Sequence, residues 1–179
     1  MASLQLYKYY QKIGGNETWT PAKYNQDLTA EKPTFETILG LDTLVDSDPD
    51  PEQRERIKYF GPLYFDIDAE DLSDSILSAQ ELHRKLTDEG LTEHDIEVYL
   101  SGKKGFHLII PPVCFMEKPE PVAKLPHIYR EIANKFAVPF MDFRVYTAKR
   151  GRMLRTTHNQ RENGLYKVAI TKAQLDTLT

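Results

Sequence analysis

A chain of 179 residues with ordinary apolar and aromatic content is long enough for one domain with a sizeable core. No apolar run is long enough to span a membrane, no leader-like segment opens the chain, and Cys114 is its only cysteine. These features exclude an intrachain disulfide and a cysteine-rich zinc knuckle, and they predict a reducing, cytoplasmic setting.

A net charge of −4 excludes a uniformly basic nucleic-acid coat, but the charge is unevenly spread. Acids crowd Asp42–Glu55 and Asp66–Asp74. Between Arg144 and Lys167, by contrast, Lys149, Arg150, Arg152, Arg155 and Arg161 face one acid, Glu162. An acidic site beside a basic patch suits a polyanionic substrate.

In chain order, the aromatic-rich stretch from Leu4 to Ile13 is expected to be a helix ended by Gly14-Gly15. Residues Asn16–Lys32 read as irregular, anchored by Trp19 and Tyr24. Thr34 caps an expected short helix through Leu44, and the acidic stretch from Asp46 to Pro51 reads as a loop. Leu63–Asp68 alternates apolar Leu63, Phe65 and Ile67 with Tyr64, Asp66 and Asp68, the period of a strand. Ser73 is the expected N-cap of a helix with Ile76, Ala79, Leu82 and Leu86 on one stripe and Gly90 just past its end. Strands are expected at Ile96–Leu100 and Phe106–Ile110, with Ser101–Gly105 as the tight loop between them and Pro111-Pro112 as the stop. A helix from Leu125 to Phe136 and a strand from Phe140 to Tyr146 follow. Arg152–Thr157 and Leu165–Ile170 are expected to pair as a hairpin around Asn163-Gly164.

From Leu63 the expected order is β-α-β-β-α-β. This is an α+β fold of the ferredoxin-like or RNA-recognition-motif type, with helices on one sheet face and the other face open. Residues 1–58 are expected to be an α/β appendage packed on a core of 59–179. Thr171 opens a helix that the chain barely completes, so the segment reads as one part of a longer protein.

Asp66 and Asp68 share a strand face with Cα atoms roughly 7 Å apart, close enough to converge on a hard divalent cation. The pair is not a calcium loop, because Asp71 stands where glycine is required and Leu77 where glutamate is required. A solvated acidic edge strand would carry the same two residues, so the rest of the chain decides. The run Ser101-Gly-Lys-Lys-Gly-Phe-His107 combines glycines that let backbone N–H groups face an anion, two cations, and a histidine on the open face. Alone it also describes a solvated hairpin turn, as Asp142 alone describes a cap. Together they meet the needs of two-metal nucleotidyl transfer: clustered carboxylates, donors for a triphosphate, and cations along a nucleic-acid backbone.

From Tyr59 to Ile170 the chain resembles the catalytic core of archaeo-eukaryotic-type DNA primases and primase-polymerases. Phe65-Asp-Ile-Asp68 is similar to that family's first motif, Ser101-Gly-Lys-Lys-Gly-Phe-His107 to its second, and Met141-Asp142 to its third. Arg152-Met-Leu-Arg155 resembles its R-x-x-R stretch. The resemblance implies a template-directed DNA primase and polymerase. Asp66, Asp68 and Asp142 would be metal ligands for Mg²⁺ or Mn²⁺. Ser101, Lys103, Lys104, His107, Arg152, Arg155 and His158 would bind the nucleotide.

Its implied partners are nucleoside triphosphates, single-stranded template and primer duplex, together with replication proteins such as a helicase. No zinc is expected, since the zinc element common between the second and third motifs of cellular primases has only Cys114 in its place. Thr156-Thr-His158-Asn159 also departs from the family's run after the second arginine. An end-joining repair polymerase of the same superfamily and a non-catalytic nucleic-acid-binding module are the alternatives. A nuclease is the remaining rival. The module would need stacking aromatics where Asp66, Asp68 and His107 stand.

Overall fold

The computed structural model describes residues 5–12, 18–45, 49–147, 150–157 and 159–179. The first tyrosine-rich stretch is a strand rather than a helix. In β1 (Tyr7–Gln11) only Tyr9 is fully buried between half-exposed neighbours, and its tyrosines pack better on a pleated sheet than on a helix. β1 pairs with β2 (Thr20–Lys23), β3 (Phe35–Thr37) and β4 (Gly40–Leu41). The helix expected after Thr34 is therefore replaced by β3 and β4. There the Thr37 hydroxyl accepts the Tyr9 N–H at 3.0 Å, which ties β3 to β1.

A short helix, α1 (Pro51–Arg56), is capped by Asp50 and leads to β5 (Lys58–Phe60), which pairs with β4. The first sheet also takes β9 (Val122–Ala123) and β10 (Met153–Arg155). Strands from both sides of residue 58 thus build it.

The second sheet has the order β11-β7-β8-β6, every pair antiparallel. Its strands are β6 (Leu63–Ile67), β7 (Glu97–Leu100), β8 (Phe106–Ile110) and β11 (Val168–Ile170). One face carries Phe65, Leu108 and Val98 in a cross-strand row beneath α2 (Leu72–Asp88), whose Ile76, Ala79, Leu82 and Leu86 are buried. The helix begins at Leu72 after Asp71, not after Ser73. The serine that matters locally is Ser75, whose hydroxyl accepts the Ala69 N–H at 3.1 Å. α3 (Leu125–Lys135) packs beside β5 and β6, and α4 (Lys172–Thr177) starts from a Thr171–Gln174 capping box. Among the described residues no helix is long and apolar enough to cross a membrane.

Two expectations for the last third of the chain are corrected. Phe140–Tyr146 is not a strand: Met141 makes a single bridge to Ile67, and Phe143–Thr147 is a 3₁₀ helix. Asp142 accepts the Arg144 N–H two residues on, and this local bond turns the chain. The turn buries Tyr146 against Tyr64, with ring centroids 5.2 Å apart. Arg152–Ile170 is not a hairpin either. The Asn163-Gly164 turn forms, with Gly164 at φ +81°, but β10 pairs with β3 and β11 with β7. Each strand finds a better partner in a different sheet, so one turn links the two sheets.

Candidate functional site

The register of the second sheet aligns side chains across its open face in two rows. Asp66 pairs with His107 and His107 with Tyr99, forming the first row. One step further along, Asp68, Gly105, Ser101 and Lys167 follow from the pairs Ile67–Phe106, Leu100–Phe106 and Val168–Leu100. The outer edge of β6 extends both rows. The Asp142 N–H donates to the Asp66 carbonyl at 2.8 Å, and the Asp68 N–H donates to the Phe140 carbonyl at 3.1 Å.

The Ser101–Gly105 loop is held tightly against this face. The Ser101 N–H donates to the Gly105 carbonyl at 2.9 Å, and the Gly105 N–H donates to the Ser101 hydroxyl at 3.2 Å. A Cβ on Gly105 would stand 2.5 Å from the Ile67 carbonyl oxygen, so β6 and the loop can approach this closely only over glycine. Gly105→Ala is expected to destabilise the fold by about 1–3 kcal/mol through this backbone clash, measurable as a lowered melting temperature.

A cavity of about 250 Å³ opens over the rows, lined by Asp66, Asp68, Ser101, Lys103, His107, Arg152, Arg155 and Arg161 among others. It meets a larger cavity of about 570 Å³ at Lys103, Arg155 and Arg161. The larger space is lined by loop residues without the carboxylates, so the smaller one is where chemistry could occur. Asp142 stands beside that cavity across the edge of β6. Arg144 Nε holds its carboxylate at 2.9 Å and Arg144 Nη2 at 3.3 Å. Lys104 is not brought in, because its ammonium donates to the Glu70 carbonyl. His158 lies outside the described residues. Asn159 donates to the Pro33 carbonyl and the Thr156 hydroxyl, which ties its loop to the start of β3.

Two residues that the sequence did not single out belong here. Arg161 donates from Nε to the Ser101 carbonyl at 2.8 Å and lines both cavities. Lys167 is only 5% exposed, and its ammonium lies 4.5 Å from the centroid of the Tyr99 ring. Among the described residues that ammonium has no hydrogen-bond or ion-pair partner. Only the pairing of Val168 with Leu100 turns Lys167 onto the site face, and no local pattern reports that register.

The electrostatics are those of a site with its charges only partly answered. Burial raises the Asp66 carboxyl to about 6; the Arg152 guanidinium, 3.5 Å away, opposes this, while Asp142 and Asp68 add to it. Burial also pushes Asp142 up, but the hydrogen bonds and charge of Arg144 outweigh it and hold the group below the usual carboxylate range. Burial brings His107 down to about 3, helped by Lys167, Arg152 and Arg161, so the ring is neutral at pH 7. Its Nε2 is 3.6 Å from Asp66, and its buried Nδ1 has no partner among the described residues. Arg155 stacks on Phe35 at 4.7 Å and leaves Nε and Nη1 similarly unpartnered. Buried polar atoms around the site thus lack a partner among the described residues.

The carboxylates fit a hard divalent cation in their chemistry: three anionic oxygen donors that repel one another and raise Asp66. In the present arrangement Asp66 and Asp142 lie against guanidinium groups. Among the described residues no three His, Cys, Asp or Glu side chains stand together to hold one ion.

Taken together, the fold is α+β with two antiparallel sheets, and a solved structure shares it. The polymerase domain of Ligase D from Mycobacterium tuberculosis, solved in complex with DNA, superposes with a TM-score of 0.57 at 14% identity, over 97% of this chain and 76% of that one. No family model and no curated protein sequence matches the chain.

Proposed function

We propose that this chain is a template-directed nucleotidyltransferase, a primase-polymerase that adds nucleotides to a 3′-hydroxyl. The observation that carries the reading is the pair of cross-strand rows. They bring Asp66 and Asp68 next to His107, Ser101 and Lys167 on one sheet face, with Asp142 at the edge.

Asp66, Asp68 and Asp142 would hold Mg²⁺ or Mn²⁺; when bound, such ions acidify the attacking hydroxyl and neutralise charge at the α-phosphate. Ser101, His107 and Lys103 would bind the β- and γ-phosphates, joined by Lys167 and Arg161. A neutral His107 can donate from Nδ1 to a phosphate oxygen without repelling the cations around it. Arg155, backed by Phe35, lines the same cavity and would join them. Arg152 and Arg144 hold the Asp66 and Asp142 charges in the free protein, and both must yield when a cation takes their place.

That the similar Ligase D domain was solved with DNA supports a DNA template and primer as partners. Its place in a ligase favours a second reading, a repair polymerase that fills ends before joining. The deciding experiment is nucleotide incorporation on primed and unprimed single-stranded templates with Mg²⁺ and then Mn²⁺. Primer extension is the expected result, and degradation of the primer would instead indicate a nuclease. A strict requirement for a recessed 5′-phosphate would favour the repair reading.

A further inference from the structure

Phe140 combines three features seldom found together. Its backbone has φ +61°, a left-handed conformation that a bulky L-residue adopts only when its surroundings enforce it. The enforcing bond is its carbonyl, which accepts the Asp68 N–H at 3.1 Å. The residue is 48% exposed, and its ring packs against no other ring among the described residues. The turn itself serves the fold through that backbone bond, but an exposed phenyl contributes little to folding, so the choice of phenylalanine here is not explained by packing.

The position of Phe140 relative to the rows gives the ring a partner. Across the sheet the order is Phe140, Asp68, Gly105, Ser101, Lys167, and in the neighbouring row Asp142, Asp66, His107, Tyr99. Anion donors lie on the Ser101 and Lys167 side of the carboxylates, where the leaving pyrophosphate belongs. In phosphoryl transfer the attacking oxygen enters opposite the leaving group. The 3′-hydroxyl must therefore approach from the edge of β6, where Phe140 stands beside Asp68.

We propose that Phe140 is a binding residue for the primer end, stacking against the 3′-terminal nucleoside and so holding its hydroxyl towards Asp66 and Asp68. This rests on reading the site as one that extends a primer. Aromatic stacking is tolerant of base identity, as an extending enzyme requires. An aliphatic side chain at this position would lack the flat π-face.

The test compares the wild-type chain with Phe140→Ala, Phe140→Gly and Phe140→Trp. One assay is primer extension; the other is quenching of 2-aminopurine at the primer 3′ end on binding without nucleotide. Alanine and glycine are expected to raise the KM for primer-template about tenfold and to abolish the quench, with the nucleotide KM unchanged. Tryptophan should retain both. Phe140→Gly should fold with a melting temperature at or above wild type, since φ +61° suits glycine. Wild-type primer KM and quench in the alanine and glycine variants would overturn the proposal while leaving polymerase activity intact. A wild-type protein that quenches without extending would instead overturn the polymerase reading, and loss of quench in the variants would still uphold Phe140. A wild-type protein that binds no primer end would overturn both.

Discussion

Asp68→Asn is expected to fold normally and to lose nucleotide incorporation by on the order of a thousandfold, equivalent to about 4 kcal/mol in the barrier. The amide has nearly the shape of the carboxylate but lacks the anionic oxygen that Mg²⁺ and Mn²⁺ prefer. In metal-free buffer the same substitution should stabilise the protein slightly. Burial is the main reason the Asp66 carboxyl is raised to about 6, and Asp68 is among the lesser ones, so only part of the strain is relieved. A gain of roughly 1 kcal/mol or less corresponds to a rise of about 2–4 °C at most for a chain of this size.

The sign of the pH dependence follows from the raised Asp66. Its ionised form is disfavoured in the folded state, so the penalty is fully present above about pH 6 and fades as pH falls towards the unfolded value of 3.8. The stabilisation by Asp68→Asn should accordingly be larger at pH 7 than at pH 5 in thermal melts with chelator. Residual incorporation above about one per cent of wild type in the folded variant would count against a metal-binding role for Asp68.

What could be read from sequence followed the strength of the local period. β6 alternates, and β8 is a short apolar run stopped by two prolines and was placed to the residue; α2 and α3 carry clear apolar stripes and were located within a residue or two of their ends. The sequence motifs therefore brought Asp66, Asp68, Ser101 and His107 to one face. The N-terminal tyrosines fit both a helical stripe and a pleat, and only the pairing of β1 with residues up to 34 positions away decides for the strand. Asn163-Gly164 makes its turn as its residues demand, yet turn chemistry cannot say that the flanking strands join different sheets. Lys104 was misplaced because a loop lysine can reach either side, and here the Glu70 carbonyl captures it. Phe140 gave no sign, since nothing local in Val-Pro-Phe-Met-Asp requires a left-handed phenylalanine.

Lys167 was hidden for the same reason as the two-sheet topology, and it is where function and stability should part most visibly. Burial brings its ammonium down to about 8 against an ordinary 10.5, with Asp66 and Glu97 only partly offsetting the loss of water. A depression of that size means the buried charge costs roughly 3 kcal/mol. The contact with Tyr99 returns about 0.5–2 kcal/mol of it. Lys167→Met removes the charge and keeps an unbranched chain, so it is expected to raise the melting temperature by a few degrees. The same change should weaken nucleoside triphosphate binding about ten- to hundredfold, because a charge-assisted bond to phosphate is lost from a site nearly closed to water. In the wild type, triphosphate affinity should fall as pH rises through about 8 and the amine deprotonates, whereas in Lys167→Met it should be flat over that range. Stability should move the other way: the penalty of the buried ammonium is present below about pH 8 and fades as pH rises towards 10.5. His107 is neutral throughout this window and cannot mimic the effect. Titrating a triphosphate from pH 7 to 9 against both proteins, with melts on the same samples, measures both trends. A variant as stable as expected that binds triphosphate like wild type would make Lys167 a buried cation with no part in phosphate recognition.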